Sequence, residues 1–235
     1  MHSVDIVSAQ AALSTGTTMH YSVAGQGTPV VLLHGFPQTR SCWSSVIPHL
    51  AHQYTVVAPD LRGLGSTTQP VESTFDKKTL AAEVVDLLVN HLGFEEFHVV
   101  GHDWGGVVAF SVAAHHREQT LSLSVVDVTV PSSLLPDMAQ GGHRWHHGFH
   151  KTPGLPEALV LGKEADYVSW FYDNYGLTPG AISAKHRADY IRAYSQPHAL
   201  PAAFEYYRAA EQDSLDITAA VDSNPLNMPV LAVGG

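Results

Sequence analysis

Charge, cysteine and long apolar runs are all scarce in this chain. Charged residues make up 14% of its 235 residues, and Asp plus Glu (22) outnumber Lys plus Arg (12), for a formal net charge of −10. So acidic a surface, without a Lys/Arg-rich run, gives no footing for a nucleic-acid backbone or an anionic bilayer. The apolar runs are about strand length, well below the ~20 residues a membrane-spanning helix needs. A single cysteine, Cys42, rules out an internal disulfide and fits a reducing, cytoplasmic setting. The opening Met1-His2-Ser3-Val4-Asp5 has neither the basic segment nor the apolar core of a secretory signal. Histidine, by contrast, is abundant at 16 copies. His143, His146, His147 and His150 have spacings that could gather imidazoles on one side of a helix. Yet no HExxH occurs and no cysteine is nearby to complete a zinc set, so no metal is expected.

Up to about residue 131, short β-rich runs alternate with helical stretches. His20–Val23, Val30–Leu33, Tyr54–Ala58, Phe97–Val100 and Leu123–Val126 read as strands, and Val30–Leu33 is apolar throughout, as a strand buried on both faces should be. Trp43–Leu50, Thr79–Leu92 and Gly105–His116 read as helices; the second repeats its apolar residues near 3.6 and stops at Gly93. This alternation predicts an α/β fold with a mostly parallel sheet covered by helices on both faces. Residues 132–227 carry aromatic-rich helical patterns, and Val230–Val233 restores the strand signature. The expected organisation is a core over 1–131, a helical insertion or lid over 132–227, and a return to the core over 228–235. Because Gly235 follows that strand with no helix to cover it, the sheet is expected to have a bare edge and the chain to be a fragment, poorly active by itself.

Ligands of open α/β sheets bind beyond the carboxyl ends of the strands. Three segments reach that edge: His34-Gly35-Phe36-Pro37, Asp60-Leu61-Arg62-Gly63, and Gly101-His102-Asp103-Trp104-Gly105-Gly106. The last has the G-x-nucleophile-x-G spacing of a sharp strand-to-helix turn, with aspartate where serine is usual. Asp103 could simply cap the following helix; the glycines around it and the HGFP loop favour an exposed side chain instead. An aspartate is already anionic, and its natural target is a saturated carbon bearing a leaving group. Attack gives an alkyl ester, whose hydrolysis needs an oxyanion hole, most simply the backbone N–H groups of Phe36 and Trp104.

These motifs, in this order and spacing, resemble the epoxide hydrolases of the α/β-hydrolase superfamily, and less closely the haloalkane and haloacetate dehalogenases. The resemblance covers essentially the whole chain. It implies an eight-stranded sheet with a lid after strand 6, so that strand 8 and the final helix are missing here, together with the usual triad acid and histidine base. It implies that Asp103 is the nucleophile and that no cofactor is needed. Asp127 resembles an alternative carboxylate position, though a cap or supporting acceptor is an equal reading. Phe204-Glu205-Tyr206-Tyr207-Arg208 resembles the segment of a lid tyrosine, matching Tyr207, and His146 matches a lid histidine that some relatives use beside it. His34, Pro37, Trp145 and Phe149 are assigned to the substrate pocket.

The implied reaction converts an epoxide to a vicinal diol, with a small apolar substrate. Dehalogenation of an organohalide by the same ester chemistry is an alternative. A carboxylate-bearing haloacetate fits poorly, because the arginines that such enzymes carry after the nucleophile are replaced here by Trp104 and Val107. A catalytically silent relative acting as a binding module is the third reading. A homodimer is possible, although no residue marks its surface.

Overall fold

The computed structural model describes residues 4–131, 142–176, 178 and 180–234. Seven strands form one sheet: β1 (Val7–Ala12), β2 (Thr18–Ala24), β3 (Thr28–Leu33), β4 (Tyr54–Pro59), β5 (Phe97–His102), β6 (Thr120–Val126) and β7 (Val230–Val233), in the order β1-β2-β4-β3-β5-β6-β7. β1, β2 and β4 pair antiparallel; β4, β3, β5, β6 and β7 run parallel. Strands β3 to β6 follow the expected runs. β1 was not anticipated: its VSAQAA sequence is mostly exposed and lacks a continuous apolar run.

The expected helix over Trp43–Leu50 is split into a 3-10 turn, Arg40–Ser45, and one helical turn, α1 (Ile47–Leu50), with Pro48 near its start. Helix α2 (Lys77–Val85) begins two residues earlier than expected, where the Asp76 carboxylate accepts the Thr79 N–H at 2.8 Å, and continues as a wider π turn to His91. Helix α3 (Trp104–His115) is buried along its length except at Phe110 and His115. Such all-round apolarity is what a helix pressed between sheet and neighbours requires, and α3 packs on β5, β6 and α2.

Between β6 and β7 the described residues hold only helices: α4 (Trp145–Lys151), α5 (Leu155–Val160), α6 (Glu164–Asn174), α7 (Ala184–Tyr194), α8 (Ala199–Arg208) and α9 (Ala210–Ser223). This is the expected helical lid; its anticipated start at residue 132 lies outside the described residues. Lid and core share one apolar core, in which Phe36 and Trp104 of the core meet Phe171, Phe204 and Tyr207 of the lid. No described helix is long and apolar enough to cross a membrane.

The parallel order places β5 between β3 and β6. In register, Leu33 faces Gly101 and His102 faces Val126. The chain therefore leaves three adjacent strands at one edge, carrying His34–Pro37, Asp103 and Asp127 to the same place.

Candidate active site

Asp103 has φ 52° and ψ −130°, a backbone region that a residue with a Cβ occupies only under constraint. Its neighbours explain why the turn can be so tight. A Cβ on Gly101 would lie 2.0 Å from the Gly105 carbonyl oxygen, and one on Gly105 would lie 2.4 Å from the carbonyl oxygens of Leu33 and His34. The helix can therefore start directly against β3 and β5 only if both positions lack side chains. The Asp103 carboxylate makes no capping bond to α3. It turns instead toward the HGFP loop, where its Oδ1 accepts the Phe36 N–H at 2.9 Å. Gly35 permits that approach, since a Cβ there would meet the Asp103 Cβ at 2.3 Å.

Lid and core hold the loop from outside. Tyr194 Oη donates to the Gln38 carbonyl at 3.0 Å, and the Tyr172 hydroxyl donates to that of Pro37. Below it, the buried Asp60 carboxylate accepts the backbone N–H groups of Arg40 (2.8 Å) and Ser66 (3.0 Å) and pairs with the Arg40 guanidinium. These contacts fix the Phe36 N–H against Asp103.

A cavity of about 300 Å³ lies between this edge and the lid. Asp103, Phe36, Trp104, Pro37, Asp127, His146 and Tyr207 all line it, so most of the anticipated site residues come together. Three do not. His34 is fully buried beneath the loop: its Nδ1–H donates to the Gly35 carbonyl at 3.2 Å and its Nε2 accepts the Leu61 N–H at 3.1 Å. Both ring nitrogens are spent on loop structure, and burial lowers its pKa. Trp145 and Phe149 also fall outside the lining. On α4 it is His146 and His150, four residues apart, that face inward and are buried, whereas Trp145 is 41% exposed, stacks on Phe171 and meets Trp170 edge-on.

Tyr207 is buried, with Trp104 edge-on at 4.9 Å and His150 at 4.3 Å between ring centres. Burial first, and then the Asp103 charge, push its pKa well above the ordinary phenol value, while the Trp104 indole N–H beside its oxygen opposes the rise. The tyrosine is therefore neutral, and its own proton is available to a ligand. The Lys77 ammonium lies over the Trp104 ring, 4.2 Å from the indole centre, and pairs with Asp213 of α9 at 2.8 Å. This buried pair ties the lid to the elbow. Burial lowers the Lys77 pKa and raises that of Asp213, and each partner's charge works against the other's shift.

Two imidazoles that line the cavity, His146 and His147, are neutral. Burial takes His146 to about 3, with His147 and Arg144 adding to it, and takes His147 to about 4, with Arg144 and Lys151 adding. His146 Nδ1 lies 2.8 Å from Tyr175 Oη, which also lies 2.8 Å from the His143 carbonyl. A phenol has one proton. Both contacts are satisfied when Tyr175 donates to the carbonyl and His146 donates from Nδ1, which leaves His146 Nε2 as an acceptor. Tyr175, His147 and Arg144, which also line the cavity, were not anticipated there; the only sequence cue was their place in or near the aromatic lid helices. Among the described residues no group of three or more His, Cys, Asp or Glu side chains is arranged to hold a metal ion.

Residues 28–215 match the family described as "alpha/beta hydrolase fold". The chain is 37% identical over 234 residues to a soluble epoxide hydrolase of Corynebacterium sp. strain C12, covering 95% of this chain and 79% of that protein. It is 31% identical to a fluoroacetate dehalogenase of a Burkholderia species, covering 93% and 74%. Among solved structures, the ligand-free epoxide hydrolase CorEH superposes with a TM-score of 0.89 at 36% identity, over 98% of this chain and 82% of that one. With the glycine-framed elbow, the HGFP loop and the lid between β6 and β7, the chain belongs to the α/β-hydrolase fold family, and its homologues include epoxide hydrolases and a dehalogenase.

Proposed function

We propose that the protein is an epoxide hydrolase working through an alkyl ester on Asp103. The observation that carries this reading is that the Asp103 carboxylate, uncapped and held at Oδ1 by Phe36, shares one small cavity with the hydroxyl-bearing Tyr207. Oδ2 attacks a ring carbon, the carbon–oxygen bond of the ring breaks, and the alkoxide takes the Tyr207 proton. The tyrosinate then regains its proton from solvent. Tyr207 suits the task because it keeps its proton until a stronger base, the alkoxide, develops beside it.

In the second half-reaction water adds to the Asp103 carboxyl carbon. The oxyanion is held by the Phe36 N–H and by that of Trp104, which begins α3 and so has no partner within the helix. Collapse releases the diol and restores the carboxylate. Asp127, at the cavity wall, is assigned a supporting role. Among the described residues, imidazole hydrogen bonds go to backbone groups, serines and tyrosines, and none to a carboxylate. No water-activating pair is therefore assigned within them. His146 contributes a proton to ring opening only when Tyr175 turns its own proton to His146 Nδ1.

Carbon–halogen cleavage is the second reading, favoured by Trp104 at the cavity wall directly after the nucleophile. Its indole N–H faces Tyr207, which leaves a departing halide short of donors. The reading supported best is a cytoplasmic enzyme for a small epoxide, without nucleic-acid or membrane partners.

Intact-protein mass spectrometry after mixing with styrene oxide or with 2-phenylethyl bromide tests this. The expected result is an adduct with the epoxide, formed at least about 100-fold more slowly by Tyr207→Phe, and little adduct with the bromide. An adduct from the bromide alone, unaffected by Tyr207→Phe, would make the protein a dehalogenase. No adduct from either would leave a binding module.

A further inference from the structure

The cavity is not uniformly apolar. Its lining combines apolar side chains, among them Phe36, Trp104, Val107, Phe171 and Ile182, with polar ones that include Arg144, Thr129 and Thr178. Arg144 lies at the start of α4, and its Nη1–H reaches the Thr129 hydroxyl at 3.3 Å, across from the lid to the loop leaving β6. That partner is neutral. The arginine and lysine ion pairs among the described residues are made by Arg40, Arg62, Lys77, Arg187, Arg192 and Arg208. Asp103 and Asp127 share the cavity with Arg144, and neither forms an ion pair with it among those residues. The charge of Arg144 is nevertheless felt by its neighbours in the lining, because it helps to hold His146 and His147 unprotonated and opposes the rise of the Tyr175 pKa.

We propose that Arg144 makes this cavity selective for epoxides that carry a carboxylate. The inference rests on the epoxide reading above and adds a substrate class to it. A guanidinium offers a planar fork of donors matched to a carboxylate, and charge-assisted bonds of this kind are about twice as strong as neutral ones. Three electrostatic demands meet in a volume of about 300 Å³: the nucleophile is anionic, the substrate is anionic, and the His146 and His147 imidazoles are neutral. Among the described residues that line the cavity Arg144 is the one arginine or lysine, and it offsets the repulsion that Asp103 and Asp127 would exert on an anionic substrate. The aromatic wall then receives the rest of the molecule. The covalent step is unchanged: Asp103 Oδ2 bonds to a ring carbon, the ring carbon–oxygen bond breaks, and the alkoxide is protonated by Tyr207.

The test compares ester formation on the full chain with trans-3-phenylglycidate and with its neutral amide, 3-phenylglycidamide, by intact-protein mass spectrometry. Ester formation needs only the nucleophile and the ring-opening donor. The wild-type chain is expected to prefer the carboxylate by at least about tenfold. Arg144→Gln should slow the glycidate at least tenfold, leave the amide within about threefold, and remove the preference; Arg144→Lys should keep part of it. A ratio of rates unchanged by Arg144→Gln would overturn the proposal. Should that variant not fold, protection of the wild-type chain by unreactive 3-phenylpropionate against 3-phenylpropionamide decides: equal protection overturns it, and stronger protection by the acid supports it. If the amide or styrene oxide forms the ester without any charge preference, only the substrate class is lost. If no epoxide forms it, the epoxide reading falls as well.

Discussion

Replacing Asp103 by alanine and, in a separate variant, by glycine separates backbone strain from side-chain chemistry. Both substitutions delete the carboxylate and its 2.9 Å bond to the Phe36 N–H, so that loss cancels when the two variants are compared. What differs is the cost of holding φ at 52° with ψ at −130°. A residue with a Cβ pays about 1–3 kcal/mol for such a conformation, whereas glycine adopts it freely. Against this, glycine gains about 0.5–1 kcal/mol of conformational freedom in the unfolded chain. The balance favours Asp103→Gly over Asp103→Ala by about 0.5–2 kcal/mol, the reverse of the usual order at an ordinary site. For a chain of this size the difference is about 1–8 °C in Tm. Urea titration and thermal unfolding of the two proteins measure it. An alanine variant as stable as the glycine variant, or more so, would refute the strained elbow and with it the idea that the turn exists to present this side chain.

Lys77→Met should cost about 3–5 kcal/mol by leaving Asp213 buried without its cation, while the double change with Asp213→Leu should restore most of the loss; a single variant as stable as the double one in urea would contradict the pairing. Stability should fall as pH drops below about 6.5. His146, His147 and His150 are held at about 3, 4 and 2 in the folded chain, so the unfolded state takes up their protons first and is favoured, by an upper bound of about 2 kcal/mol per imidazole at pH 5. Urea midpoints that stay flat between pH 7 and 5 would show that these rings are not buried and neutral. Nitrogen NMR of labelled histidine should find His146 protonated at Nδ1, with that state weakened in Tyr175→Phe; an Nε2–H form in the unmodified protein would reverse the assignment.

Continuous apolarity made β3 and the Val56–Ala58 run of β4 readable, because a strand buried on both faces has no polar alternation to obscure it, whereas β5 and β6 were readable from their valines despite His98, Ser122 and Ser124. β1 is an exposed, weakly patterned strand that pairs only with β2, and nothing local distinguishes it from a loop. The elbow was legible for a related reason: Gly101, Gly105 and Gly106 answer to backbone approach, a constraint that leaves its mark on residue type. Side-chain direction was not legible to the same degree. His34 and Pro37 are neighbours in one loop, yet Pro37 lines the cavity while the His34 ring turns under the loop to Leu61. On α4 the rotation of the helix decides between the stripe of His146 and His150 and that of Trp145 and Phe149, and both stripes are aromatic. Arg144 carried no signal beyond its charge, because its value to the site comes from where Thr129 and the cavity lie.

The central claim is that the Asp103 carboxylate takes an alkyl group onto its own oxygen. Proteolysis and mass mapping of the protein after mixing with styrene oxide reads this directly. The substrate's mass should appear on the peptide that contains Asp103, be removed by mild base, and be absent from Asp103→Asn. Label on any other residue, or an equal label in Asp103→Asn, would contradict it.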